Sequence, residues 1–353
     1  MIRKLITATL VGTAVLSLTA CDPPLPPEVR TAIMEQNVTC ESGEVTVSGT
    51  YLLSGFGYYL ADTLPIDCEE LIVSGTEDDP TADIQISYLT PGEQGDKEVV
   101  PVALDAAVFV TNLVDLGSLV FSQTTIEGII AGEITQWNDP AIASDNPFET
   151  LPELPITLIT EAEPHVIRAF ESWMTNLTGE AFVSGFTAVS GFDYYQIMDA
   201  EEGALGLISF VDNFDAYMLQ AGFRYGVGQD DFVVADLKSL ASAGSQLDYV
   251  KVGNGIDVEM DYSREPEAPA GSDVAPAPYQ ALIPVYLSYD PAAELAVRAT
   301  GFYALRQDSQ GAFEQFSVSQ LPEHVRIEAG TVVATGLPQP ELTAEQLQQL
   351  GLD

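Results

Sequence analysis

Basic residues are scarce in this chain. Its 353 residues include 12 lysines and arginines against 53 aspartates and glutamates, so the formal net charge is −41. Nucleic-acid binding needs clustered cations that displace counterions from phosphates, and so few cations diluted among so many acids do not supply them. We therefore expect no nucleic-acid partner, and no attraction to anionic lipid head groups through a basic surface.

Residues typical of metal sites and of catalytic centres are also few. The only histidines are His165 and His324, and no CxxC or HxxxH spacing occurs, so no metal site or cofactor is predicted. No Gly-x-Ser-x-Gly motif is present, and consecutive acids such as Glu201 and Glu202 are typical of solvated loops. The sequence therefore predicts a protein that is not an enzyme.

The chain has one long apolar run, at its N-terminus. Arg3 and Lys4 precede an apolar stretch that ends in Leu18-Thr19-Ala20-Cys21, a pattern that predicts a signal peptide over residues 1–20 and resembles the bacterial lipobox. The prediction is lipidation of Cys21, a linker over 21–39, and anchoring at the outer face of the cytoplasmic membrane or in the periplasm. The alternative is an ordinary signal peptide or a membrane span, although a span needs about 20 continuous apolar residues.

Cysteine usage fits export. With Cys21 assigned to the anchor, Cys40 and Cys68 remain as an even pair, and the exported setting is oxidising. We predict a disulfide between them, the alternative being two reduced, buried cysteines.

The rest of the sequence alternates strand-like and helix-like segments, and 46% of the residues are hydrophobic. Apolar runs bounded by Pro, Asp and Asn predict strands buried on both faces, whereas apolar residues at helical spacing predict helices. The alternation indicates an α/β fold. We predict strands at 71–73, 84–87, 99–104, 107–110, 156–159, 204–210 and 282–289, helices at 58–62, 124–131, 166–174 and 292–306, and a surface loop or a hinge at 256–278.

A longer motif carries a family resemblance. Residues 126–142 read IEGIIAGEITQWNDPAI, followed by Asn146-Pro147 and by LPELPI at 151–156. This resembles the pattern IFxGxITxWNDPAI, then NPxxxLPxxPI, of the phosphate-specific substrate-binding proteins of bacterial ABC importers (PstS-like, periplasmic binding protein type II). Trp137 is interpreted as a packed anchor and Asn138-Asp139-Pro140 as a turn, so the motif identifies the fold and not the ligand.

The resemblance implies a two-lobed α/β fold of periplasmic-binding-protein type II, with a hinge and a ligand cleft between the lobes. Lobe 1 is expected at residues 40–110 plus 280–338, lobe 2 at 111–279, and a C-terminal tail at 339–353. The implied partners are a small-molecule solute, phosphate or another, an ABC permease, and the membrane through the lipid anchor.

The binding positions depart from the family pattern. The family has an arginine and the loop RxDxSGT after the strand equivalent to 156–159, but here Glu161 stands where the arginine is expected and no Ser-Gly-Thr follows. Tyr88 stands where the family has a proton-accepting aspartate, whereas the preceding Ser87 is kept. The candidate ligand-binding residues are Thr50, Ser54, Ser87, Tyr88, Thr160, Glu161, His165 and Arg168.

Acidic side chains in such a cleft would repel phosphate. A carboxylate about 4 Å from an oxyanion costs about 4 kcal/mol at an effective dielectric constant of about 20, more than the roughly 1 kcal/mol that one hydroxyl hydrogen bond returns. His165 and Arg168 are the candidate compensating cations, although Arg168 also fits a solvated helix face. Two hypotheses stay open: a solute-binding protein with an altered ligand, or a non-transporting relative that lost phosphate binding and serves as an envelope sensor, scaffold or partner-binding protein.

Overall fold

The computed structural model describes residues 38, 40–225, 231–268 and 274–338. The predicted signal peptide, Cys21 and the C-terminal tail lie outside these residues, as does all of the linker except residue 38. Within them, no helix is long and apolar enough to cross a membrane.

The described residues form fifteen strands and ten α-helices. The strands are β1 (Gly43–Gly49), β2 (Leu71–Glu77), β3 (Ile84–Ser87), β4 (Glu98–Thr111), β5 (Val120–Ser122), β6 (Thr157–Leu158), β7 (Glu161–Ala162), β8 (Thr187–Ala188), β9 (Ala204–Ser209), β10 (Leu219–Gln220), β11 (Gly222–Arg224), β12 (Phe232–Val233), β13 (Leu247–Val252), β14 (Gly255–Met260) and β15 (Leu282–Tyr289). The helices are α1 (Ser54–Asp67), α2 (Gln123–Ile130), α3 (Pro140–Asp145), α4 (Pro164–Thr178), α5 (Tyr195–Met198), α6 (Phe210–Ala216), α7 (Leu237–Gly244), α8 (Leu295–Ala304), α9 (Gln307–Phe313) and α10 (Glu323–Val333).

One long strand joins the two halves of the main sheet, whose order is β2-β1-β3-β15-β4-β9-β6. The first part of β4, Glu98 to Ala106, pairs antiparallel with β15, and its last part, Ala107 to Thr111, pairs antiparallel with β9. Every residue of β4 is buried. The fold is therefore α/β as predicted, with β4 common to both halves.

Local sequence explains how α2 and α3 begin. The N-cap of α2 is Ser122, whose hydroxyl accepts from the Thr125 backbone amide, so the helix begins one residue before the predicted start at 124. Asp139 caps α3, accepting from the Ala141 amide at 2.8 Å, and Pro140 occupies the first turn, where a missing amide costs nothing. Trp137 is fully buried and its Nε1 donates to the Gly203 carbonyl oxygen at 3.0 Å, which confirms it as a packed anchor.

Two other predictions need correction. Residues 256–278 are predicted as a loop or hinge, but residues 256–260 belong to β14, which forms an antiparallel hairpin with β13; the described residues from 261 to 278 contain no helix or strand, as predicted. The hairpin packs on β4 so closely that a Cβ added at Gly255 would clash with the backbone of Val99. The strands expected at 99–104 and 107–110 are a single strand, β4, because Asp105 between them is buried within it.

The predicted disulfide is confirmed. Cys40 and Cys68 are bonded, with their Cα atoms 5.3 Å apart. The bond encloses β1 and α1 in a covalent loop, since Cys68 directly follows the last residue of α1.

Candidate functional site

The sheet register places the ends of several strands around the middle of β4. Strand β3 runs parallel to β1, its last residue Ser87 lies beside Tyr286 of β15, and Tyr286 lies beside Pro101 of β4. From the other half, the last residue of β9, Ser209, lies beside Ala107 of β4, and β6 is parallel to β9. The carboxyl ends of strands from both halves thus face each other near Asp105. In α/β sheets ligands bind outside the carboxyl ends of the strands, so this junction between the two halves, called the cleft below, is the candidate site.

Asp105 is fully buried at the floor of the cleft. Its Oδ1 accepts from the backbone amides of Ala106 and Val211, at 2.7 and 3.1 Å, and its Oδ2 accepts from the Tyr88 hydroxyl at 2.8 Å. Burial raises the pKa of Asp105 to about 7, the nearby Asp212 adds to the rise, and these hydrogen bonds oppose it. Asp105 therefore connects β3, β4 and the start of α6, and its charge can change near neutral pH.

Tyr88, directly after β3, and His165, in the first turn of α4, lie face to face. Their ring centroids are 3.9 Å apart and the rings are inclined by 14°. Burial lowers the pKa of His165 to about 3, and Arg168 lowers it further, so this imidazole is neutral at pH 7. The pKa of Tyr88 is well above its usual value because the ring is buried and because Asp105 and Asp212 are negative.

Arg168, one turn further along α4, contacts the opposite half. Its Nη1 donates to Glu93 Oε1 at 3.1 Å, and both side chains remain about half exposed. Glu93 ends a short 3₁₀ helix, Pro91–Glu93, and is held there by the backbone amide and hydroxyl of Thr90. The pKa of Glu93 is lowered, since burial is outweighed by the Thr90 bonds and by Arg168.

Three further acids lie on the α4–α6 side. Burial raises the pKa of Asp212 to about 6, with added repulsion from Glu163 and Asp215. Glu163 accepts from the Phe192 amide at 2.8 Å, and burial raises its pKa. Asp215 accepts from the hydroxyls of Tyr194 and Tyr195. Together with Asp105, these carboxyls are bonded to neutral donors, and no ion pair joins any of them to a cation of the described chain.

The structure brings together three of the eight predicted binding residues, Tyr88, His165 and Arg168, with Ser87 next to Tyr88 in sequence. The Ser54 hydroxyl donates to the Tyr51 carbonyl at 2.7 Å, so its proton is used within the turn before α1. Thr50, Thr160 and Glu161 are exposed, and no structure with a ligand tests them. All eight assignments therefore remain predictions.

Sequence reasoning missed the acids of the cleft floor as site residues. Asp105, Asp212 and Asp215 are absent from the candidate residues chosen from the sequence. A signal existed for Asp105, because an acid flanked by two continuous apolar runs is placed where burial is hard to avoid. No such signal marks Asp212, because an acidic residue in the first turn of a helix is common. No group of three or more His, Cys, Asp or Glu in the described chain is arranged to hold a metal ion.

Comparison with known proteins supports the fold. No family model matches the sequence, and no curated protein matches it. Solved structures do match, at low identity. A high-affinity periplasmic phosphate-binding protein, solved with phosphate, shares 14% identity with a TM-score of 0.53, covering 85% of this chain and all of that one. For a human phosphate-binding apolipoprotein the identity is 14%, the TM-score 0.52 and the coverage 85% and 95%.

A third structure, from Clostridium perfringens, is assigned to the phosphate ABC transporter substrate-binding proteins and was solved with phosphate bound. It has 13% identity and a TM-score of 0.50, covering 79% of this chain and all of that one. The structural neighbours of this chain are thus phosphate-binding proteins of the two-lobed type, and the fold is the one implied by the Trp137 motif. At such identities the likeness shows the fold alone.

Proposed function

We propose that this protein is a lipid-anchored, extracytoplasmic solute-binding protein of the phosphate-importer type whose cleft takes a ligand other than phosphate. The observation that carries the proposal is the charge of the cleft. Four carboxyls, Asp105, Glu163, Asp212 and Asp215, have no cationic partner in the described structure, and the two basic side chains nearby are already engaged.

The two basic side chains offer no charge to an oxyanion. His165 is neutral at pH 7 because its pKa lies at about 3, and Arg168 is already paired with Glu93. At pH 7.5 a phosphate dianion would face carboxyls that are mostly ionised, and it would either be repelled by them or have to protonate them, Asp105 first because its pKa is about 7. Neither basic side chain offsets this cost, so the balance is against phosphate.

The location and the anchor rest on sequence and on the neighbours. The N-terminal leader and Cys21 support export and lipidation, the Cys40–Cys68 disulfide fits an oxidising compartment, and one of the neighbours is described as periplasmic. An ABC permease is the transport partner that this proposal implies. The neighbours are binding proteins, which is consistent with a function without catalysis.

A second candidate is a non-transporting relative that serves as an envelope sensor, scaffold or partner-binding protein. The observation that favours it is that side chains of the protein itself contact each other across the cleft, at Tyr88–His165 and at Arg168–Glu93. A measurable closure on adding a solute separates the two, since only a solute-binding protein requires it.

The first test is isothermal titration with sodium phosphate at pH 7.5 and about 0.15 M salt, where screening over about 8 Å leaves local groups in control. We expect no binding up to millimolar phosphate. The variant Glu161→Arg restores the charge that the family pattern has at this position and should bind phosphate more tightly than the native protein. A matched control, Glu133→Arg, reverses an exposed acid elsewhere and should change nothing. Micromolar binding by the native protein would refute the altered-ligand proposal.

A further inference from the structure

We infer that the Tyr88–His165 stack and the Arg168–Glu93 ion pair form an internal latch that holds the two halves of the molecule together. The inference is independent of which solute, if any, the cleft binds. It rests on contacts between residues of opposite sides: Tyr88 and Glu93 follow β3, whereas His165 and Arg168 lie on α4, which follows β6 and β7.

The stack is the stronger part of the latch because it is buried and because the Tyr88 ring is held from behind. The Tyr88 hydroxyl is bound to Asp105, which sets the plane of the phenol ring. The His165 Nε2 atom is completely buried and has no hydrogen-bond partner among the described residues. A buried polar atom without a partner is unfavourable, and an opening of the cleft would let water reach it, so the stacking contact must offset this cost in the closed state.

The ion pair adds a second contact on the same two elements. Arg168 is three residues after His165, so both side chains lie on one face of α4. Glu93 is held in place by Thr90, which makes it a fixed acceptor. Because the pair is half exposed, its contribution is expected to be small and sensitive to salt.

His165 gives the latch a pH dependence of known sign. The closed state needs a neutral His165, with a pKa of about 3, whereas an exposed imidazole has a pKa of about 6.5. The contribution of His165 alone therefore favours opening as the pH falls through this window, by about tenfold in the open-to-closed ratio between pH 8 and pH 5.5. The charged groups near His165 are Arg168 and Glu93. The charged groups near Tyr88 are Asp105 and Asp212. Because their pKa values are raised in the closed state, their contribution at lower pH favours closing rather than opening.

The test uses the small number of histidines. The chain has two, His165 and His324, so NMR of selectively histidine-labelled protein resolves both, and a His324→Gln variant assigns them. In the native protein the His165 signal should not titrate between pH 8 and pH 5. In Tyr88→Ala it should titrate with a midpoint shifted toward 6.5, and the radius of gyration from X-ray scattering should rise. Tyr58→Ala, at a tyrosine exposed on α1, is the matched control.

A second variant separates the latch from a general loss of folding. His165→Phe keeps an aromatic ring for Tyr88 but cannot be protonated, so its radius of gyration should equal that of the native protein at both pH 8 and pH 5.5. Unchanged thermal unfolding of Tyr88→Ala would show that the fold is intact. The inference is overturned if native His165 titrates near pH 6.5, or if folded Tyr88→Ala keeps both the native histidine titration and the native radius of gyration.

Discussion

The two carboxyls buried in β4 have the same kind of neighbour but opposite electrostatic surroundings. Glu98 accepts from the Tyr289 hydroxyl at 2.6 Å, and Asp105 accepts from the Tyr88 hydroxyl at 2.8 Å. Glu98 also receives two bonds from Arg298, of 3.0 and 2.9 Å. Asp105 receives only backbone amides in addition.

The difference shows how one strand serves two purposes. Arg298 also donates to the Pro291 carbonyl at 2.9 Å, so the Glu98 end of β4 is tied to α8 and to the chain that follows β15. Asp105, in the middle of β4, lies where the two halves of the sheet meet. The carboxylate charge is compensated at the Glu98 end of β4, which is tied to a helix, and left uncompensated at Asp105.

The largest expected effect comes from breaking the compensated end. Arg298→Ala leaves the Glu98 carboxylate buried without its cation, and this should lower the free energy of unfolding by about 3 to 5 kcal/mol, measured by urea denaturation at pH 7.5. The double variant Arg298→Met with Glu98→Gln removes both charges and should recover part of the loss. A loss below about 1 kcal/mol for Arg298→Ala would mean that this pair contributes no more than a surface one.

The next effect concerns Asp105 and depends on pH. Its folded pKa, about 7, is above the ordinary 3.8, so its protonated form stabilises the fold below pH 3.8 and that stability is lost as the pH rises through 7. The loss is up to about 4 kcal/mol. Asp105→Asn should therefore gain stability relative to the native protein between pH 5 and pH 8, measured by denaturation at each pH. Asp62→Asn, at an exposed acid of α1, should show no such gain, and a parallel pH dependence in native protein and Asp105→Asn would contradict the assignment.

The smallest effect is at the surface of the cleft. Arg168→Ala removes a half-exposed ion pair and should cost at most about 1 kcal/mol of unfolding free energy. The cost should disappear at about 1 M salt, where charges are screened within about 3 Å. A cost that persists in high salt would indicate that Arg168 packs rather than pairs.

Much of the fold was predictable because its signals are local. The apolar pattern gave β3 and β15 with the observed bounds, and the run around Trp137 indicated the two-lobed architecture. Local pattern failed at Asp105, since a charged residue ordinarily ends a buried strand, whereas here hydrogen bonds from the distant Tyr88 and Val211 make its burial tolerable. The β13–β14 hairpin was missed although Ile256, Val258 and Met260 of β14 alternate with acids, because the segment was grouped with the residues rich in Pro, Ala, Glu and Asp that follow it.

The cleft was predictable only in part. Family spacing pointed to Tyr88, His165 and Arg168, which the structure does bring together. The family spacing could not show that these side chains contact one another and Glu93 instead of being available to a ligand. Tyr88 and His165 are far apart in sequence and are brought together only by the folded arrangement of the two halves around β4. The uncompensated acids are likewise a property of the assembled cleft and of no single segment.

The Cys40–Cys68 bond has a mechanical consequence. Tension applied to the chain on the N-terminal side of Cys40 passes through the sulfur atoms to Cys68 and on to the residues that follow it. Strand β1 and helix α1, enclosed between the two cysteines, carry none of that tension. When the folded protein is pulled from the N-terminal side of Cys40, unfolding therefore cannot begin at β1 while the disulfide is intact. The first element to bear the force is β2.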